Sequence, residues 1–237
     1  MDEETLLKKG LDELKIIYTD EMITKTFHLY DLLIEKNKVV NLTAITDKEE
    51  FIIKHILDSL LSFKYYKFDD QKIIDIGTGA GFPGLPLKIF FPGLNMTMID
   101  SVNKKLGFIN DVIMELDFKD ISTIHGRAED LAKKTDLREN FDVGVSRAVA
   151  NLSTLSELCL PFIKNNGKFI FYKGTETDDE ISNAKNAFKI LGNTSYDIYD
   201  SFIPCTDIPR RFIVSKKEKH ISDKYPRKPG EPNRNPL

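Results

Sequence analysis

The apolar positions of the chain change their period once, near residue 70. Before that point they recur every three or four residues, the spacing of one helix face. Leu6, Leu7, Leu11, Leu14 and Ile17 form a first stripe. Ile23, Phe27, Tyr30, Leu33 and Ile34 form a second, over a helix from about Asp20 to Lys36. After a connector, Asn41-Leu42-Thr43-Ala44-Ile45, either Thr46 or Asp47 caps a third helix, with Glu49 and Glu50 placed for a capping box. Phe51, Ile52, His55, Ile56, Leu60 and Leu61 make its apolar face. His55 reads most simply as part of that packing face; a Lys54 and His55 turned toward a substrate is the alternative. Residues 1–70 thus read as a helical N-terminal extension that caps a sheet formed by the rest of the chain.

From residue 72, short apolar runs rich in β-branched residues alternate with helical stripes, as in a parallel sheet covered by helices. The expected strands are Lys72–Ile76, Met96–Asp100, Ile121–His125, Phe141–Ser146 and Lys168–Tyr172, the last entered through a turn at Asn165-Asn166-Gly167. Helices are expected over Leu85–Phe91, Asn103–Leu116, Thr154–Leu160 and Asp178–Leu191. Tyr196–Phe202 and Arg211–Ser215 close the sheet as an antiparallel edge pair, with Pro204 and Pro209 in their connection. The fold class is α/β: a mostly parallel seven-stranded sheet with an antiparallel edge pair, plus the helical extension. Residues 71–217 hold this domain, and 218–237 form a basic tail packing on it or flanking it.

Ligands of open α/β sheets bind beyond the carboxyl ends of the strands. The first strand, containing Asp75, runs into Gly77-Thr78-Gly79-Ala80-Gly81-Phe82-Pro83-Gly84, with glycine at four of eight positions. Glycine lets a backbone approach a ligand without a Cβ clash. A phosphate loop needs lysine after its last glycine, but Leu85-Pro86 follow Gly84. The dinucleotide pattern Gly-x-Gly-x-x-Gly is missed by one residue, with Phe82 at the third glycine's place. The Asp-x-Gly-x-Gly-x-Gly spacing instead resembles the S-adenosylmethionine (SAM) loop of methyltransferases. An ordinary tight turn explains so many glycines less well.

The second strand ends on Asp100, an acid able to accept from both hydroxyls of a ribose or to cap the next helix. After the third come Gly126-Arg127-Ala128-Glu129-Asp130, where a carboxylate and backbone amides could read an adenine edge. Helix capping is the plainer role there. After the fourth come Ser146-Arg147-Ala148. The Asn/Asp-Pro-Pro-Tyr/Phe motif of amino-directed base methyltransferases is absent. Pro204-Cys205 lies in the wrong sector for cytosine-C5 chemistry, so Cys205 reads as structural. Arg147 presents a positive fork for a carboxylate or an electron-rich base edge, or forms a surface salt bridge.

Composition narrows the field. The chain has 237 residues, 41% of them hydrophobic, enough for one sizeable core plus an extension. A net charge of −3 excludes a uniformly basic coat, so any nucleic-acid contact is local. Two cysteines without CxxC spacing and four scattered histidines favour neither disulfides nor a metal and suit a reducing cytoplasm. No apolar run approaches the roughly 20 residues that span a membrane. The tail differs: from Lys216 onward it carries seven basic residues against three acids, interleaved with Tyr225 and four prolines. It reads as a solvated terminus or as a clamp for a phosphate backbone.

These elements together resemble the RsmG methyltransferases, once called glucose-inhibited division protein B. The matching segments are Asn41–Ile45, His55–Leu60, Asp75–Leu87, Asp100-Ser101 with Lys104-Lys105, Gly126–Glu129, Ser146–Ala148, and Tyr225–Gly230 with the final Pro236-Leu237. The resemblance implies a Rossmann-like SAM-dependent methyltransferase fold and methylation of N7 of a guanine in bacterial 16S ribosomal RNA. It implies that Gly77, Gly79 and Phe82 line the SAM site, Asp100 holds the ribose, Ala128 and Glu129 sit at the adenine, and Arg147 completes the pocket. N7 already carries a free lone pair, so no catalytic general base is expected, and Arg147 is the nearest candidate for a catalytic group. The substrate is then 16S rRNA, a small ribosomal subunit or an assembly intermediate, with a cytoplasmic monomer as the default. A small-molecule or protein methyltransferase and a non-catalytic SAM/RNA-binding module are the alternatives; a NAD-dependent oxidoreductase is disfavoured by the glycine spacing.

Overall fold

The computed structural model describes residues 1–147, 150–192 and 195–237. Helix α1 (Glu3–Leu14) starts on Asp2, whose carboxylate accepts from the Thr5 N–H, and stops where Lys15 turns left-handed at φ 57°. The Ile16 N–H closes back onto Leu11 O at 3.0 Å, a Schellman-type ending. Ile17 therefore leaves the expected stripe and stands 90% exposed, while Ile16 takes the buried place. Helix α2 (Asp20–Asn37) buries Ile23, Thr26, Leu29 and Leu33. Phe27, Tyr30 and Ile34 flank that line half-buried, because the next helix covers their side: Tyr30 packs edge-on to Phe51 at 5.2 Å and Lys48 lies over both Phe27 and Tyr30.

That next helix, α3, runs over 48–64 in joined pieces: α-helical Lys48–Phe51, π-helical Ile52–Leu57, α-helical Asp58–Leu60 and a 3-10 turn Leu61–Lys64. Of the two candidate caps Asp47 is used, accepting from the Glu50 N–H at 2.9 Å. The π-helical turn closes with the Asp58 N–H on Ile53 O, five residues back. Such a widened turn re-aims the side chains beyond it.

Strands β1 (Lys72–Ile76), β2 (Asn95–Asp100), β3 (Ile121–His125), β4 (Phe141–Arg147), β5 (Ile163–Lys173), β6 (Ser195–Phe202) and β7 (Pro209–Lys216) form one sheet in the order β3-β2-β1-β4-β5-β7-β6. The first five pair in parallel, and β7 runs antiparallel to β5 and β6. Strand alternation serves two cores: Ile73 packs with α1–α3, α4 (Gly84–Phe90) and α5 (Asn103–Glu115). Ile74 packs with α6 (Ala128–Leu131), α7 (Leu152–Cys159) and α8 (Asp178–Ile190) on the other face.

Strand β5 departs most from the sequence reading, starting at Ile163 instead of Lys168. Its pairing with β4 jumps from Phe141↔Ile163 to Val143↔Lys168, so the turn signal Asn165-Asn166-Gly167 is realised as a bulge within the strand. Asn166 takes φ 67° there and its N–H reaches Lys217 O at 2.7 Å. Pro209 begins β7 opposite Phe202, a position that tolerates its missing N–H.

The tail is not a solvated terminus. Ile221 and Tyr225 are buried in the second core, and Arg138 donates to the carbonyls of Ile221, Ser222 and Tyr225. A short helix, α9 (Glu231–Arg234), packs on α7. Among the described residues no helix is long and apolar enough to cross a membrane.

Candidate active site

The loop after β1 doubles back on glycines with positive φ: 70° at Gly77, 60° at Gly79 and 92° at Gly81. A Cβ at Gly81 would lie 2.4 Å from Leu85 Cδ1, so glycine is needed there for space as well as conformation. At Gly79 a Cβ would meet only Gly77 O, at 4.0 Å, leaving one side of the loop open. Asp75 lies fully buried beneath. Its Oδ2 accepts from Thr78 Oγ1 at 2.7 Å and from the Gly84 N–H at 3.0 Å, while Oδ1 has no partner. Burial pushes this carboxyl up to about 7.

A cavity of about 440 Å³ opens beyond the ends of β1, β2 and β3, within the roughly 300–1,000 Å³ typical of small-molecule sites. Gly77, Asp100, Ala128 and Glu129 line it together. Gly79 stands beside them, its N–H on Asp100 Oδ2 at 2.9 Å. Asp100 Oδ1 accepts from the Val102 N–H at 2.8 Å, at the start of α5. The carboxylate thus ties the glycine loop to α5 and still has lone pairs for a ligand. Glu129, 7% exposed, accepts from the Gly230 N–H at 3.1 Å. Ile99, Val102 and Leu158 add apolar surface, and Lys105 and Arg127 add cations. A flat base on the apolar side with hydroxyl and amine donors on the two carboxylates fits this lining, so SAM fits the residues present.

Neither Phe82 nor Arg147 lines this cavity. Phe82 stacks on His55 with ring centroids 4.2 Å apart and planes within 4°. Arg147 sits 5.6 Å from the Phe82 ring centre. Its Nη1 donates to Asp58 Oδ2 at 3.0 Å and to Lys54 O at 3.1 Å; its Nη2 donates to His55 Nδ1 at 3.3 Å. The other Asp58 oxygen accepts from Arg210 Nε at 2.8 Å. Asp58 is 5% exposed, so Arg147 makes a buried ion pair instead of the surface one the sequence allowed. A second cavity, about 370 Å³, is lined by Lys54, His55, Asp58, Arg147, Lys173 and Arg210, with Ile45, Tyr172 and Gly174.

Because guanidinium only donates, His55 Nδ1 accepts, and Nε2 carries the proton toward Thr43 Oγ1 at 2.9 Å. Burial, then the Arg147 charge, press the His55 pKa down to about 3. The imidazole is therefore neutral, and the Asp58 carboxylate lies between two guanidiniums. His55 packs, as expected, and also lines the second cavity. Asp58, Arg210 and Tyr172 were not among the residues expected from the sequence. Asp58 had one signal, an acid among Ile56, Leu57, Leu60 and Leu61 on a helix; an acid buried there requires a cation. Ser146 Oγ donates to Ile76 O at 2.8 Å, joining β4 to β1; Ala148 lies outside the described residues. Cys205 lines neither cavity. Its N–H donates to Glu13 at 3.0 Å, and burial raises the thiol to about 11.

The model of the family rRNA small subunit methyltransferase G matches residues 22–206. The chain is similar to the ribosomal RNA small subunit methyltransferase G of Acetivibrio thermocellus, 47% identical over 232 residues, 98% of this chain and 96% of that one. It is 44% identical to that of Clostridium kluyveri over the full length of both. Among solved structures it resembles M. jannaschii TYW2 in complex with AdoMet, with a TM-score of 0.52 and 13% identity over 69% of this chain and 77% of that one. It also resembles TrmN from Thermus thermophilus, with a TM-score of 0.53 and 14% identity over 67% and 48%. At such identities these two speak to the fold alone.

Proposed function

The chain belongs to the rRNA small subunit methyltransferase G family, and from that premise we propose that it methylates N7 of a guanine in 16S ribosomal RNA with SAM as donor. The observation that carries this reading is a pair of unlike cavities linked through the glycine loop, Gly77 lining the first and Phe82 stacking on His55 of the second. One holds two acceptor carboxylates, Asp100 and Glu129, beside Lys105 and Arg127; the other gathers four cations around Asp58. SAM supplies an electrophilic methyl group to whatever lone pair is aligned with it. Asp100 and Glu129 bind the nucleoside part, and Gly77 and Gly79 allow close backbone approach. Arg147, which lines the second cavity, and Phe82, stacked on His55 beside it, orient the reacting ends of cofactor and base.

The second cavity suits an RNA nucleotide. Lys54, Arg147, Lys173 and Arg210 face three carboxylates, Glu50, Asp58 and Glu180, and the small positive excess suits a phosphate, while arginine donors match the O6 side of a guanine's major-groove edge. Guanine N7 needs no deprotonation, and the lone pairs of His55 Nδ1 and of both Asp58 oxygens are already engaged by arginine donors. Alignment is then the main source of rate, an effect worth roughly 7–11 kcal/mol in well-oriented reactions. The enzyme would work as a monomer in the cytoplasm, where small subunits are assembled.

The test is small-subunit RNA from cells lacking this protein, cleaved chemically at 7-methylguanine. Loss of one N7-methylguanine, restored by the wild-type gene, is expected. An unchanged pattern would refute the assignment.

A further inference from the structure

The basic tail reads from the sequence as a solvated terminus or a clamp for RNA phosphates, yet two of its contacts reach the cofactor cavity. Of its seven basic residues, Lys217 is buried against Glu139, and Arg227 is paired with Glu157, whose side chain is fully buried. Glu157 accepts from the Arg227 main-chain N–H at 2.8 Å, from Nε at 2.9 Å and from Nη2 at 2.6 Å. Arg227 Nη2 also reaches forward to Asn235 O at 2.8 Å, bracing the turn between them from both ends. Within that turn Gly230 takes φ 80°, and Thr154 Oγ1 on α7 holds Pro232 O at 2.9 Å. Two contacts reach the cavity. The Gly230 N–H donates to Glu129 Oε1 at 3.1 Å, and Asn233 joins the lining.

We propose that the 227–235 segment is a wall of the cofactor cavity, with Arg227 a positioning residue that holds Gly230 against Glu129 and Asn233 at the lining. The inference rests on the cavity being the SAM site. A hydrogen bond to one carboxylate oxygen fixes the rotamer of Glu129 and leaves the other oxygen for the donor of an adenine amino group. Without the bond the same carboxylate rotates freely, and ordering it falls to the ligand. The remaining exposed cations of the tail are dispensable for this role.

The test measures binding of SAM and of S-adenosylhomocysteine by calorimetry, beside the salt dependence of small-subunit RNA binding, on full-length protein. In Arg227→Ala both cofactor dissociation constants should rise at least tenfold while the RNA salt slope stays unchanged. Asn233→Ala, exposed and outside the ion pair, should raise them about threefold with no change in melting temperature, which keeps the test decisive if Arg227→Ala folds poorly. The proposal is overturned if Asn233→Ala binds both cofactors as wild type does, or if a folded Arg227→Ala does. It is equally overturned if the RNA salt slope of Arg227→Ala falls by about 1 with cofactor affinity unchanged, the signature of a lost phosphate contact. A wild-type protein that binds no SAM would refute the cofactor reading itself, and this inference with it.

Discussion

Replacing Asp58 by asparagine keeps the shape of the side chain and removes the charge between Arg147 and Arg210. Asp58 is 5% exposed, Arg147 16% and Arg210 27%, so neither guanidinium can fully recover its hydration in place. Removing one partner of a buried ion pair costs roughly 3–5 kcal/mol because the other charge stays behind. The lower end applies here, since Arg210 is partly solvated and Arg147 keeps its bonds to Lys54 O and His55 Nδ1. A loss of about 3 kcal/mol lowers the melting temperature of a chain this long by about 6–12 °C. Circular dichroism melts of wild type, Asp58→Asn, Arg210→Ala and the double variant close a double-mutant cycle. The cost of Asp58→Asn should fall by at least about 1 kcal/mol once Arg210 is gone. Displacement of Arg147 by about an ångström should also reduce methyl transfer on the order of a hundredfold. A melting shift below about 2 °C, or costs that simply add, would show that the carboxylate does not hold the two arginines together.

Two further outcomes concern single positions. Gly107 lies inside α5, and a Cβ there would meet nothing within 4 Å. Gly107→Ala should raise stability by about 0.5–1 kcal/mol in urea unfolding, and a loss would contradict the open space at that position. His55 has a folded pKa of about 3 against 6.5 for the free side chain. Between those values the unfolded chain binds more protons, so the contribution of neutral His55 is complete above about pH 6.5 and is lost as pH falls toward 3. Wild type should therefore lose more stability than His55→Asn between pH 7 and pH 4. Asp75, raised to about 7, slopes the opposite way over the same range, which is why the comparison is made with the variant. Parallel curves would mean that His55 is protonated in the folded protein.

The order of strands and helices was legible because each carries a local period. The cavity lined by Gly77, Asp100, Ala128 and Glu129 was legible for a related reason. These residues lie at or just beyond the carboxyl ends of β1, β2 and β3, and neighbouring parallel strands must deliver those ends to one place. Local signals still misplaced particular residues. Ile17 fell out of its stripe when Lys15 stopped the helix, and Asn165-Asn166-Gly167 became a bulge because Lys217 offered Asn166 a hydrogen-bond partner from a distant segment. The second cavity was legible only in part: Lys54, His55 and Arg147 were candidates, but the carboxylate that gathers the arginines was not. Asp58 meets Arg147 across 89 positions and Arg210 across 152, and no periodicity records a pairing of that range. The tail makes the same point in reverse. Composition marked it as basic, a property of single residues, but Glu157 meets Arg227 across 70 positions and Glu129 meets Gly230 across 101. Charge type was written in the sequence, whereas the partner that neutralises each charge was decided only when the chain folded back on itself.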